Sequence, residues 1–121
     1  MFHDKRIWCV QPTPSAEELA RYLTEHTMCC CCGFELGGYL FLNDATSADG
    51  AQEYAVLRKQ DTPDAPYVQI ESITFGWCDF AKGLQYVRDI LAGRYDTSEF
   101  VRPVRPQLQT SHEHGRCHFC A

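Results

Sequence analysis

Apolar residues recur along the chain with two different periods, and each period predicts a different kind of element. Residues 6–10 are a short β-prone run ended by Gln11-Pro12, which predicts a first strand. From residue 16 onward, apolar side chains lie three and four positions apart, as in an amphipathic helix with one buried face. Two starts remain open for this first helix, Thr13-Pro14 and the capping box Ser15-x-x-Glu18.

Three further strands are predicted, at residues 38–43, 53–58 and 67–75. The first of these three is continuously apolar, as a central strand covered on both faces would be. An Asp49-Gly50 turn precedes the second and predicts a hairpin. In the third, the apolar alternation changes phase between Ile70 and Ile73, which indicates a β-bulge.

A second helix is predicted to begin after Asp79, which can cap it, and to end at Gly93. Its apolar stripe is Phe80, Leu84, Val87 and Leu91. Gly83 within this helix costs about 1 kcal/mol relative to alanine, so we expect it to pack closely against the sheet.

These elements predict a single α+β domain with the order β-α-β-β-β-α, in which two helices cover one face of a four-stranded antiparallel sheet. Residues 1–95 form the predicted core domain. Prolines 103 and 106 oppose regular structure near the other end of the chain, so residues 96–121 are predicted to be an extended C-terminal arm.

Length and charge narrow the possible functions. A chain of 121 residues fits one domain with a modest core, and no apolar run is long enough to cross a bilayer. The net charge of −5 comes without any cluster of lysine and arginine, and Arg102 and Arg105 alone do not make a nucleic-acid surface. These features favour a protein partner over nucleic acid or membrane.

The eight cysteines affect the predicted function more than any other feature of the composition. The residues after Met1 run into Ile7 and Trp8 without the apolar core of a signal peptide, so a reducing, cytoplasmic location is expected. In that compartment clustered cysteines are more often metal ligands or reactive thiols than disulfides.

The pattern H-x-x-C-x-x-C occurs twice and predicts a metal site. It begins at His26 and again at His114, and it supplies two cysteine pairs, Cys29 with Cys32 and Cys117 with Cys120. Four thiolates in tetrahedral geometry suit a single structural zinc ion, with Gly33 allowing a tight turn beside the first pair. The first pair with Gly33 and Phe34 resembles the knuckles of zinc ribbons, and this resemblance implies zinc binding only.

The ligand set is more open than the site. Histidine and thiolate both suit zinc, and neighbouring residues can compete for the ion. The alternative ligands are His26, His114, His112, Cys30 and Cys31, with His118 also nearby. Adjacent cysteines point apart, so Cys30 and Cys31 are expected to pack inward or to serve a second metal.

Two catalytic interpretations, a zinc deaminase and a cysteine nucleophile, find little support in the sequence. The last eleven residues hold the histidine, glutamate and C-x-x-C of zinc deaminases, but His112 abuts Glu113 and no proline precedes Cys117. Cys78 is a possible reactive thiol, because it lies at the start of the second helix, although Asp79 opposes ionisation. Burial of Cys78 against Trp77 is the simpler interpretation.

The sequence therefore predicts a small intracellular zinc-binding protein that acts as a protein-binding regulatory or inhibitory module. Its one zinc is structural and clips the arm to the end of the first helix. A metal-dependent or thiol-based enzyme that uses the cysteine-histidine cluster is the alternative, so enzymatic activity stays open. A redox or metal sensor that uses the spare thiols is the second alternative.

Overall fold

The computed structural model describes residues 7–25, 32–46, 48–61, 63, 66–96 and 102–110. In this part of the chain there are seven strands, two α-helices and one short 3-10 helix, Phe75–Trp77. In chain order the other elements are β1 (Ile7–Pro12), α1 (Ala16–Glu25), β2 (Cys32–Leu36), β3 (Tyr39–Thr46), β4 (Gln52–Lys59), β5 (Tyr67–Thr74), α2 (Phe80–Leu91), β6 (Arg102–Val104) and β7 (Gln107–Thr110).

All seven strands belong to one mixed sheet with the order β6-β5-β4-β3-β2-β1-β7. Strand β1 lies parallel to β2 and to β7, and the other neighbours are antiparallel. The predicted four-stranded antiparallel sheet is therefore wrong. Three strands were missed: β2 lies within the expected metal turn, and β6 and β7 lie within the expected arm. Helix α1 connects the parallel strands β1 and β2, as such a crossover requires.

The sheet is curled, because its two edges are joined by only two residues. Strand β6 is one edge and β7 is the other, yet only Arg105 and Pro106 separate them. Three peptide steps from Val104 to Gln107 span at most about 11 Å. A flat sheet of seven strands would place its edges about 29 Å apart. The sheet therefore forms a half-barrel.

Both faces of the sheet are covered by apolar side chains. Strand β3 sends Tyr39 and Phe41 to the face that packs on the helices, and Leu40 and Leu42 to the other face. The helix-side core joins both helices to the sheet; its largest buried side chains are Tyr54, Phe34, Phe41, Phe75, Leu19, Leu23, Ile70 and Ile90. The other face is filled by Trp8, Leu40, Leu42, Ala55, Leu57 and Val104. The sequence-based expectation of a central strand covered on both faces is confirmed.

The predicted bulge in β5 is also confirmed. Val56 of β4 pairs with Glu71, and the next residue, Leu57, pairs with Gln69, so Ile70 is the extra residue. The bulge explains why Ile70 and Ile73 both face the helices despite being three positions apart.

Capping side chains fix the start of each helix. The Ser15 hydroxyl accepts a hydrogen bond from the Glu18 amide at 3.2 Å, so of the two predicted starts of α1 the one at Ser15 is correct. The Asp79 carboxylate accepts from the Lys82 amide at 2.8 Å and caps α2, as predicted.

The buried side of α2 differs from the predicted stripe. Gly83, Val87 and Ile90 are buried, whereas Phe80 is 38% exposed. Gly83 lies against Thr24 of α1, where a Cβ atom would collide with the Thr24 methyl group. The glycine is thus explained by close contact between the two helices and not, as predicted, by contact with the sheet.

The described part of the predicted arm is bound to the sheet. Strand β6 pairs with β5, and the Arg102 guanidinium donates to the buried Gln69 side chain at 2.8 Å. Strand β7 pairs with β1 through four register partners. In the described segments, no helix is both long and apolar enough to cross a membrane.

Candidate functional site

The predicted zinc ligands fall almost wholly outside the described residues. Only Cys32 lies within them, as the first residue of β2, and only its backbone position is described. The remaining predicted ligands and alternates, Cys29, Cys117, Cys120, His26, His114, His112, Cys30 and Cys31, lie outside. Within the described ranges, no cluster of three histidine, cysteine or acidic side chains has metal-binding geometry. The zinc site stays a prediction.

The sheet does determine where the two cysteine-bearing segments attach. Cys9 of β1 pairs with Cys32 on one side and with Gln109 on the other, so these three residues form one row across the sheet. The attachment points are two strand spacings apart, about 10 Å.

Gly33 does not form the tight turn expected beside Cys32. It is a strand residue of β2, paired with Leu42 of β3, and it is not among the glycines with positive φ. A Cβ atom there would lie 2.5 Å from the Leu42 Cδ2 atom and 3.2 Å from the Phe41 carbonyl oxygen. Glycine therefore serves close packing within the sheet and not a turn.

Cys78 lies between the 3-10 helix and α2, and it is half-buried. Burial raises the pKa of its thiol; Asp79 raises it further, whereas the Lys82 ammonium lowers it. The protonated thiol donates to the Thr74 carbonyl oxygen at 3.9 Å. This environment favours the thiol over the thiolate, which is the opposite of what a cysteine nucleophile needs.

Trp77 is the most exposed large apolar side chain in the described part of the chain, at 65% of its full accessibility. Its indole N–H donates to the Asp49 carboxylate at 2.9 Å. Asp49 lies in the β3–β4 turn, where its other carboxylate oxygen accepts from the Ala51 amide at 3.2 Å. The hydrogen bond therefore orients the ring edge of Trp77 toward the β3–β4 turn.

Gly76 sets how closely the Trp77 segment approaches the sheet. A Cβ atom at this position would lie 2.8 Å from the Ala51 Cα atom and 2.8 Å from the Gln52 amide nitrogen. Contacts this short with backbone atoms cannot be relieved by a side-chain rotation. The glycine thus lets the 3-10 helix lie against the start of β4 and places Trp77 beside the β3–β4 turn.

Two clefts open on either side of Trp77. The α2 cleft has a volume of about 370 Å³ and is lined by Glu71, Ser72, Ile73, Thr74, Trp77, Cys78, Lys82, Tyr86 and Tyr95. The α1 cleft has a volume of about 260 Å³ and is lined by Leu23, Thr24, Glu25, Asp49, Gly50, Ala51, Gln52, Gly76 and Trp77. Trp77 is the residue that lines both clefts.

The two clefts differ in charge. The α2 cleft contains one carboxylate, Glu71, and one ammonium group, Lys82. The α1 cleft contains the carboxylates of Glu25 and Asp49, and no lysine or arginine is among its lining residues. Trp77 and the two clefts therefore combine an exposed aromatic side chain with an acidic α1 cleft and an α2 cleft that contains both charges.

This surface was not predicted from the sequence. Trp77 was expected to bury Cys78, but the indole is exposed, and Cys78 is only half-buried beside it. The available signal was a tryptophan placed between a strand and a capped helix in Gly76-Trp-Cys-Asp79. The hydrogen bond to Asp49, 28 positions away in the sequence, could not be read from the local pattern.

Comparisons of the chain with models of protein families, with curated proteins and with solved structures find no match. The function therefore has to be inferred from the site itself.

Proposed function

We propose that this chain is a small intracellular protein-binding module, of a regulatory or inhibitory kind, which docks on its partner through Trp77 and the two clefts beside it. In this proposal one structural zinc ion, bound by the cysteine-bearing segments, has no catalytic part. The observation that carries the proposal is the exposed and anchored indole of Trp77.

An exposed tryptophan of this kind is typical of binding hot spots. Tryptophan is enriched among the few interface residues that contribute most of the binding energy. An indole that is already fixed by a hydrogen bond loses little conformational entropy on binding. The neighbouring clefts can accept side chains of the partner, and Phe80, which is 38% exposed, adds apolar area at the start of α2.

The intracellular location is proposed from the thiols. Cys78 is a free thiol, and free thiols persist in reducing compartments. A thiol-based enzyme gains no support from Cys78, because its pKa is raised by burial.

The test compares Trp77→Ala with a matched control, Leu108→Ala. Leu108 is another exposed large apolar residue, at 37%; it lies on β7 and is not among the lining residues of either cleft. Partners captured from native cells by the wild-type chain are identified, purified and measured directly against all three proteins by calorimetry.

We expect Trp77→Ala to weaken the direct interaction by at least tenfold, the usual cost of truncating a hot-spot residue, and Leu108→Ala to leave it nearly unchanged. Equal affinities of wild type and a folded Trp77→Ala protein for the purified partner would show that this surface is not the docking site.

A further inference from the structure

We propose that the α1 cleft binds an arginine side chain of the partner, whose guanidinium stacks on the face of Trp77 between Glu25 and Asp49. This inference rests on the proposed function, since it specifies the chemistry that the docking surface recognises. It concerns only the α1 cleft, which a short peptide can probe, so it can be tested without knowing the partner.

The orientation of the indole provides the stacking platform. Its N–H edge is turned to Asp49, at 2.9 Å, while 65% of the side chain remains accessible. The face of a tryptophan ring carries negative electrostatic potential, and it is the best aromatic partner for a cation. Because Trp77 is one of the residues that line the α1 cleft, a cation bound there lies next to this side chain.

Three sources of negative potential meet in this cleft. Glu25 and Asp49 contribute carboxylates to its lining. The last turn of α1, which also lines the cleft, contains no basic residue to offset the partial negative charge of the helix C-terminus. The Asp49 carboxylate is held at the cleft by the hydrogen bonds that it accepts from the Ala51 amide and the Trp77 indole N–H.

The α2 cleft does not share this preference. Lys82 lies in its lining, so a second cation would be repelled there. The difference between the clefts gives the partner a defined direction, with its basic side chain on the α1 side of Trp77.

Arginine fits this cleft better than lysine. Its planar guanidinium can stack on the indole and direct N–H groups at carboxylates in the same plane, whereas an ammonium group is more strongly hydrated and does not stack. The cleft volume of about 260 Å³ is sufficient for one such side chain.

The experiment titrates the protein with the blocked tripeptide acetyl-Gly-Arg-Gly-amide and follows the two tryptophan indole N–H signals by NMR. Trp8 is fully buried and provides an internal reference, and the Trp77 signal is identified by its loss in Trp77→Phe. Two control peptides replace arginine by citrulline, which has a similar shape without charge, or by lysine.

Matched variants test the charge. Glu25→Gln removes the carboxylate at the end of α1, and Glu17→Gln makes the same change in the first turn of the same helix. We expect saturable shifts of the Trp77 signal with the arginine peptide, weaker shifts with lysine and almost none with citrulline. Glu25→Gln should weaken binding about threefold, the effect of one exposed charge pair, and Glu17→Gln should have no effect.

Equal shifts with the citrulline and arginine peptides would overturn the inference, because binding would then not depend on the cation. So would the absence of any Trp77 shift at about 50 mM peptide, well above the millimolar dissociation constant expected of a single contact. If the arginine peptide does not bind while Trp77→Ala still abolishes partner binding, the arginine site is wrong and the docking surface is still supported. If the peptide binds but Trp77→Ala retains the partner, the cleft chemistry stands and the docking function is wrong.

Discussion

Gly83 lies where α2 crosses α1, and we expect Gly83→Ala to destabilise the fold although alanine is the better helix former. A Cβ atom on Gly83 would collide with the Cγ2 methyl of Thr24, whereas the next atoms, Phe75 Cδ1 at 3.7 Å and Thr24 Cβ at 3.8 Å, lie at ordinary contact distance. Thr24 cannot easily rotate away, because its hydroxyl donates to the Ala20 carbonyl oxygen at 2.7 Å. The whole obstacle is therefore one methyl group.

Two free-energy terms oppose each other in this variant. Replacing glycine by alanine in a helix interior stabilises by about 1 kcal/mol. Forcing a methyl group into a packed contact costs about 1 to 3 kcal/mol. The net result is a loss of up to about 2 kcal/mol in the free energy of unfolding. Thr24→Ser removes the obstructing methyl group and keeps the hydroxyl, so in that background Gly83→Ala should stabilise by up to about 1 kcal/mol.

Urea denaturation of the wild type, the two single variants and the double variant measures this reversal. The double-mutant cycle should give a coupling free energy of about 1 to 3 kcal/mol, the size of the removed overlap. The reasoning fails if Gly83→Ala alone stabilises the protein by the full helix-propensity gain, or if the coupling is below about 0.5 kcal/mol, the limit for independent sites.

Three further outcomes can be measured on the purified protein. Elemental analysis should find about one zinc ion per chain. Cys32→Ser and Cys120→Ser should each lower the melting temperature, since metal binding is coupled to folding. A metal-free wild-type protein, with unchanged melting temperatures in both variants, would contradict this. Deleting residues 107–121 removes β7 together with one cysteine pair, so we expect a weakened but still folded protein by circular dichroism, and full stability would show that neither contributes. Alkylation of Cys78 by iodoacetamide, followed by peptide mass mapping, should be slow in the folded protein at pH 8, because burial raises the pKa of the thiol and keeps it protonated. The reaction should accelerate at a higher pH in the folded protein than in the protein unfolded by urea. Equal rates in the folded and unfolded protein would refute that environment.

The sequence predicted those parts of the fold in which local pattern and tertiary environment agree. The bulge at Ile70 was predictable because a change of apolar phase has few other causes. The Ser15 and Asp79 caps are local side-chain hydrogen bonds, and both were among the predicted helix starts.

The missed strands depend on distant partners. Strand β2 begins with Cys32 and Gly33, a pair typical of metal turns, and it is a strand because β1 and β3 lie on either side of it. Prolines at positions 103 and 106 argued against strands, but Pro103 lies on an edge strand and Pro106 lies in the link between the two edges, where no ladder donor is needed. The binding surface was missed for the same reason, since Asp49 holds Trp77 across the fold.

The two-residue link between the sheet edges has a consequence for synthesis on the ribosome. Ile7 of β1 pairs with Gln107 of β7, so the outer edge of β1 stays uncovered until β7 has been synthesised. Until residues 102–110 have emerged, both β1 and β5 present unpaired backbone groups, which are templates for association with other chains. Pairings so distant in sequence also form slowly. Nascent chains of this protein are therefore expected to depend on chaperones until the half-barrel closes.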